Sequence, residues 1–414
     1  MKRLLLTSLT AAMVTGIFAQ QVQRCGSFEY EQQLLAADPG LQAVWDQQEM
    51  EYRQFLQDHP EGYSTRAVVT IPVIFHVIWN TTAQNISTTR ITDQMNVLNK
   101  DFRKLNTDTN LVPSVWKSIA ADCEINFCLA QRDPNGNWTD GIERVQTTVT
   151  NFGSSSDIKF TANGGANAWD RNKYLNIWVG NLGSSLLGYA TPPGGSASFD
   201  GVVLQYTAVG VAGASPPYNK GRTATHEIGH WLNLRHIWGD DGSSCSGTDN
   251  VTDTPNQADE NYGCPSFPLT DACQTASPGV MWMNYMDYTN DACMYMFTAG
   301  QKTRMGTCLN GTRVSIKTSN GCTPVGITEN SLAGIFAVYP SPTNGAVTLD
   351  FGTALTDDFD VIISNAMGQV VYTRHYDAIA EEQLSLDLSG NSSGIYFIEV
   401  QSRHEKVIRK VILH

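Results

Sequence analysis

The strongest constraint on this chain is a helix that must stop. The segment His226-Glu-Ile-Gly-His230-Trp-Leu-Asn-Leu-Arg-His236 places two histidines four residues apart and a third six residues on. On a helix, positions i and i+4 share a face, so His226 and His230 aim their imidazoles at one point. A helix continued to His236 would turn that ring off the face and carry it about 9 Å along the axis. The chain must therefore leave the helix in between, through a residue with positive φ. Asn233 is the residue there that visits the left-handed region most readily. Three converging imidazoles predict a zinc site of His226, His230 and His236, with Glu227 placed as general base toward a water whose pKa zinc lowers to about 7. The other histidines (His59, His76, His375, His404, His414) stand singly and read as structural or surface.

The start of the chain reads as an export signal. Lys2 and Arg3 precede an apolar stretch from Leu4 to Phe18, and Ala19 is a small residue suited to cleavage, so residues 1–19 are expected to be removed. No later stretch is long and apolar enough to span a bilayer, so no transmembrane segment is expected. The net charge of −13 argues against nucleic acid as a partner, which needs a basic face. Nine cysteines suit an oxidising compartment. Cys245, Cys264, Cys273 and Cys293 crowd the region after the histidines, Cys308 and Cys322 follow, Cys123 and Cys128 lie upstream, and Cys25 is left as the odd one.

The 414 residues suggest two or three domains. Residues 20–66 are rich in Gln, Glu and Asp, with a helix expected from Ala43 to Leu56, and read as a polar leader ending at Arg66, a maturation site by position. At Ala67 a buried-strand run begins, with Pro72 at an irregularity or edge. Residues 67–322 mix strand and helix signals. Thr92 to Phe102 reads as an amphipathic helix capped by Thr92, and Ile125 to Leu129 and Leu175 to Val179 read as strands. From Cys245 to Gly279 the composition predicts a long irregular loop held by disulfides or ions. After a linker at 323–334, residues 335–414 hold short strands between Asn/Gly turns, the pattern of a small β-sandwich.

About fifty residues past the histidines comes Asn284-Tyr-Met286-Asp-Tyr288. With it, the zinc motif resembles the metzincin clan of metallopeptidases. Asp253-Thr-Pro255, Arg132-Asp-Pro-Asn-Gly-Asn and Leu175-Asn-Ile-Trp-Val-Gly make the pappalysin family, including its ulilysin-like bacterial members, the best match over roughly residues 67–310. The resemblance implies an α+β metzincin-type catalytic domain: a twisted mixed sheet with an active-site helix and an irregular C-terminal subdomain. It implies a zinc endopeptidase acting on proteins or peptides, with Met286 as a hydrophobic floor under the imidazoles and Tyr288 stabilising the oxyanion. Leu186, Leu187, Gly188, Tyr189 and Ala190 resemble the edge strand that pairs antiparallel with substrate. The resemblance also implies the disulfides Cys245–Cys273 and Cys264–Cys293, and Cys308–Cys322 is expected as a third. Oxygens of Asp249, Thr252, Asp253 and Thr254 read either as an ordinary polar turn or, as the family implies, as a structural calcium site. Arginine-selective relatives carry an acid shortly after the methionine turn; here the nearest is Asp291, which leaves basic selectivity open.

Arg24-Cys25-Gly26 resembles a cysteine-switch segment, in which Cys25 ligates zinc and silences the zymogen; a disulfide partner or an idle thiol is the alternative. Val338-Tyr-Pro-Ser-Pro-Thr-Asn-Gly345, Asn365-Ala-Met-Gly-Gln-Val-Val371 and Ser393-Gly-Ile-Tyr-Phe397 resemble the C-terminal sorting domain of type IX secretion cargo. That implies outer-membrane secretion machinery as a partner and a secreted or surface-attached product. Two rival readings keep the histidines: a zinc-stabilised surface adhesin without catalysis, and a zinc hydrolase of cell-wall peptides.

Overall fold

The computed structural model describes residues 22–63, 68–325, 336–352, 358–377, 382–402 and 406–414. The export signal, Arg66 and most of the expected linker lie outside them. The chain divides into two compact units, one up to Pro324 and one from Val325.

In the first unit, β1 (Val69–Trp79) is the backbone of the sheet. It pairs in parallel with β2 (Ile125–Leu129) and β3 (Ile142–Gln146) on one side and β4 (Leu175–Gly180) on the other. A strand covered on both faces reads as an unbroken apolar run, which is why β1 lacks alternation. Pro72 sits where β1 has β2 alone alongside, since β4 pairing starts at Val73. The sheet continues through β6 (Val202–Gln205) to β5 (Gly188–Ala190), the one antiparallel strand, which forms its edge. One face packs α3 (Thr88–Asp101) and α4 (Arg222–Trp231) into the main core with Phe75, Ile177, Ile91 and Ile228. The opposite face buries Trp178, Tyr189, Ile158 and Tyr30.

The α3 helix begins earlier than its sequence suggested. Ser87 is the cap, its hydroxyl accepting from Arg90 N at 3.3 Å, and Thr92 lies inside with its hydroxyl on Thr88 O. Ile91 extends the apolar stripe backward by one turn, so the cap had to precede it. The polar leader forms two helices, α1 (Ser27–Ala37) and α2 (Leu41–Asp58), and α2 buries only Leu41, Gln48 and Tyr52. That little apolar surface cannot hold a helix by itself; the leader is ordered because it lies on the catalytic body. α5 (Ala299–Asn310) opens with a capping box of Thr298 and Gln301.

Disulfides join Cys245 to Cys273 and Cys264 to Cys293. The third differs from expectation: Cys322 is bonded to Cys128, 194 residues away, and Cys308 is a buried free thiol. The segment around Cys322 folds back on β1 and β2, where Gln131 N donates to Gly321 O, so Cys128 lies under it while Cys308 is fixed inside α5. Cys25, Cys123 and Cys308 are free, so counting cysteines did not isolate Cys25.

The second unit has two antiparallel sheets. One runs β10 (Val370–Tyr376), β9 (Phe359–Asn365), β12 (Gly394–Ser402), β13 (Lys406–Leu413); the other runs β11 (Gln383–Asp387), β8 (Ala346–Asp350), β7 (Ala337–Tyr339). Alternate residues such as Val347, Leu349, Val361, Ile363, Ile398 and Val400 form one core between them, the β-sandwich expected.

Candidate metal centre

The α4 helix carries His226 and His230 on one face and ends at Trp231. Asn233 then adopts φ 74°, turning the chain so that Leu234 N caps Gly229 O and His236 comes back to the other two rings. Arg304 Nε donates to Asn233 O at 2.6 Å and holds this turn from α5. The three Nε2 atoms lie 3.1–3.3 Å apart.

Each ring is aimed through its other nitrogen. His226 Nδ1 donates to Tyr285 O (2.7 Å), His230 Nδ1 to Leu234 O (3.0 Å), and His236 Nδ1 meets Asp240 Oδ1 (2.7 Å). Carbonyl oxygens only accept, so the protons of His226 and His230 are on Nδ1 and their Nε2 lone pairs face inward. Burial holds His226 well below its usual pKa and takes His230 to about 3. Burial also works to lower His236, but the charge and hydrogen bond of Asp240 outweigh it and raise that ring. The lone pairs of His226 and His230 face each other and His236 Nε2 at close range, and a cation between the three rings turns repulsion into ligation. The donor set therefore fits zinc. Cys25 Sγ completes a group of four potential ligand atoms that lie within 4.8 Å of one another.

Met286 lies directly beneath the helix: a Cβ on Gly229 would stand 2.5 Å from its sulfur. The turn that carries it is fixed by Asn284, whose Oδ1 accepts from Met286 N and whose side chain pairs with Gln301. The ring of Tyr288 packs 5.0 Å from His236, and its hydroxyl donates to Cys25 O at 3.1 Å. Glu227 is wholly buried; its Oε2 accepts from Ser27 Oγ (2.8 Å) and the Cys25 thiol (3.4 Å), while Oε1 has no partner. Burial pushes its carboxyl up to about 7.

The N-terminal segment fills the cleft. It runs parallel to the rim, with Gln23 N on Ser185 O, Leu187 N on Gln23 O, Gly26 N on Gly188 O, and Ala190 N on Ser27 Oγ. Arg24 is fully buried, its guanidinium on Asp291 Oδ1 (2.8 Å) and Thr289 O (2.9 Å) and over the Tyr218 ring.

The four residues named for calcium do not converge as a set. Asp249 is buried with Thr254 Oγ1 on its carboxylate, but Asp253 turns to the start of α5, accepting from Thr298 Oγ1 and Gly300 N, and Thr252 is exposed. Burial pushes Asp249 up to about 7.

Comparison with known proteins decides the family. The model of the family described as Pregnancy-associated plasma protein-A (peptidase M43) matches residues 160–310, and that of the secretion system C-terminal sorting domain matches 337–414. An extracellular metalloprotease of Arthroderma otae is 31% identical over 254 residues, covering 59% of this chain and 80% of the relative. One from Podospora anserina is 33% identical, covering 58% and 73%. The chain belongs to the pappalysin family. Among solved structures, mature mirolysin of Tannerella forsythia with a cleaved peptide is 53% identical, covering 61% of this pappalysin and 97% of that chain, with TM-score 0.61. A promirolysin variant is 48% identical, covering 71% and 97%, with TM-score 0.65. The protein is thus a secreted zinc metalloprotease with a type IX sorting domain, and the non-catalytic adhesin reading falls away.

Several groups at the pappalysin site escaped the sequence. Asp240 was legible in principle, as an acid four residues beyond a ligand histidine. The network of Arg222 with Asp101, at the end of α3, and Asp108 just beyond it was not, since Arg222 is more than a hundred residues from either. Ser27 reaches Glu227 across 200 residues.

Proposed function

We propose that this protein is an endopeptidase exported as a latent precursor, with Glu227 as general base and a preference for substrates carrying a basic residue just after the scissile bond. The observation that carries the reading is the crowd around Cys25. Its thiol meets the three imidazoles and Glu227, and its carbonyl meets Tyr288, so each group with a part in hydrolysis is in contact with the leader.

Held by His226, His230 and His236, a zinc ion supplies Lewis acidity toward a peptide carbonyl and a water. Glu227 takes the proton of the attacking water through its open Oε1 side and passes it to the leaving amine. Tyr288 turns its hydroxyl from Cys25 O to the carbonyl oxygen of substrate as charge develops there. Main-chain groups of Leu187, Gly188 and Ala190, occupied by the leader in the precursor, bind an antiparallel substrate strand. Met286 supports the helix from below.

Latency follows from two features. Cys25 occupies the fourth position beside the imidazoles, and the leader runs parallel to the rim, opposite to a substrate, so no bond of it is presented for attack. The pro-form of the Tannerella enzyme covers more of this chain than its mature form does, by an amount of the order of the leader. Residues 20–66 are accordingly assigned as the propeptide, 67–322 as the catalytic domain, and 335–414 as the sorting domain. Arg24, paired with Asp291 and stacked on Tyr218, fills a pocket that would take a substrate arginine. Calcium is proposed at Asp249 with Thr254, whose hydroxyl lies on that buried carboxylate.

Two variants test the reading. Glu227→Gln, matured by an added protease, should lose about 10²–10⁴ in kcat/KM while retaining zinc. Cys25→Ala precursor should mature itself faster than wild type. Near-normal turnover without Glu227 would remove it from the mechanism, and equal maturation rates would remove the thiol from latency.

A further inference from the structure

Lys159 is a buried cation that the hydrolytic site does not use. It closes a short turn (Ser156–Lys159), and its side chain is wholly buried. The amine donates to Thr191 Oγ1 (2.8 Å), Phe199 O (2.8 Å) and the phenol of Tyr30 (3.2 Å). Around it stand the rings of Tyr30, Tyr189 and Trp178, at 4.5, 5.2 and 5.4 Å. Tyr30 is the guest in this box. Its ring packs 4.7 Å from Tyr189, and its hydroxyl shares a hydrogen bond with Ser156 Oγ at 2.9 Å. Tyr189 is itself pinned, its hydroxyl on Ser155 O.

Every wall of the box except Tyr30 belongs to the catalytic body; Tyr30 belongs to the leader. The box also has a defined place on the cleft. Tyr189 is the middle residue of β5, between Gly188 and Ala190, which bind Gly26 and Ser27. Arg24, on the other side of Cys25, marks the pocket for the residue after the scissile bond. The side beyond Cys25 is therefore where an antiparallel substrate lays the residues before that bond.

We infer that, once the leader is removed, this box is a subsite for a tyrosine side chain on the amino-terminal side of the scissile bond, its phenol bound by Lys159 and Ser156. The inference rests on the latency and substrate polarity proposed above. Departure of Tyr30 leaves one N–H of Lys159 and the Ser156 hydroxyl without their partner, between aromatic walls shaped for a ring. A phenol restores both bonds. Phenylalanine fills the walls but leaves the polar groups unpaired, which is costly when they are buried. A basic side chain brings another donor where an acceptor is needed. Burial pushes Lys159 down to about 7, so it gains from any acceptor.

The test uses zinc-loaded enzyme matured from the full chain. Peptides carry arginine after the scissile bond and Tyr, Phe, Lys or Ala at each of the preceding positions in turn. At one position Tyr should exceed Phe in kcat/KM by roughly tenfold, with Lys poorest. In Lys159→Met and Ser156→Ala the Tyr-to-Phe ratio at that position should fall toward one; a ratio within one enzyme cancels any general loss of activity. Where Lys159→Met fails to fold, the half-buried Ser156→Ala decides. With the alanine peptide cleaved by wild type and not by Glu227→Gln, equal rates for Tyr and Phe throughout, or a Tyr preference that the variants keep, would overturn the subsite alone. An alanine peptide cleaved equally by both would overturn the underlying reading and the subsite with it.

Discussion

Asn233 shows how much one backbone angle decides at this site. Its φ of 74° lets His236 rejoin His226 and His230, and an L-residue pays for that region roughly 1–2 kcal/mol unless it is Asn or Gly. Asn233→Gly should melt within about 1 kcal/mol of wild type and hold zinc. Asn233→Val should lose about 1–2 kcal/mol or more and release zinc more readily, as measured by thermal melts with and without chelator. Lys159 gives a pH signature. Burial takes it to about 7, against about 10.4 in an unfolded chain. Below its folded pKa the full cost of a buried charge is carried; between the two values the unfolded chain holds a proton the folded one lacks, so stability from this group rises with pH. In urea denaturation the Glu227→Gln precursor should gain stability relative to the same precursor carrying Lys159→Met as well, by up to about 1.4 kcal/mol per pH unit between pH ~7 and ~10. Parallel pH profiles would show that Lys159 stays charged.

Among elements, α4 is held by what it touches more than by its own propensity. All ten of its residues are buried, and its one glycine is required by a neighbour and not by a dihedral angle. Gly229 admits the Met286 sulfur, and Gly188 on the rim lies against Glu227, where a Cβ would come 3.0 Å from Cγ. Gly229→Ala should improve helix propensity yet destabilise the fold by about 1–3 kcal/mol, because the methionine turn cannot retreat without moving Tyr285, whose carbonyl aims His226. Chemical denaturation of zinc-loaded protein checks this; a more stable variant would mean that the turn is free to adjust. The rim strand β5 is the opposite case. It is three residues long, and the leader covers its edge; on the function proposed above, that edge takes a peptide after maturation.

For the whole molecule, the division after Pro324 separates chemistry from address. Each unit has a core of its own. A chain ending at Pro324 should fold, bind zinc and mature, with melting of the catalytic unit unchanged within about 1 kcal/mol, but accumulate inside the outer membrane. Fractionation of the native host together with peptide assays reads both halves of this expectation, and normal export without the tail would contradict it. The leader is bound at several separate places. Arg24 joins Asp291, Tyr30 enters the Lys159 box, and Glu49 pairs with Arg304, the residue that also holds Asn233 O.

The three converging histidines, the carboxylate beside them and the two-unit plan were legible in the sequence because each is local: a helical spacing, one residue able to turn left, a change of period from one unit to the next; the turn of Met286 was legible only through family resemblance. Ser87 was overlooked for Thr92 because a cap depends on which apolar residue begins the buried stripe, and packing of Ile91 settles that. Cys322 bonds Cys128, not Cys308, because the chain after α5 folds back over β1, which no count or spacing encodes. Asp291 could be named as the nearest acid, but only the fold puts it beneath Arg24 at 2.8 Å. The Lys159 box was invisible for the same reason: Tyr30, Lys159, Trp178, Tyr189 and Thr191 come from four stretches of chain. A polar group becomes a binding group only when the fold strips it of water and chooses its neighbours, and that choice is tertiary.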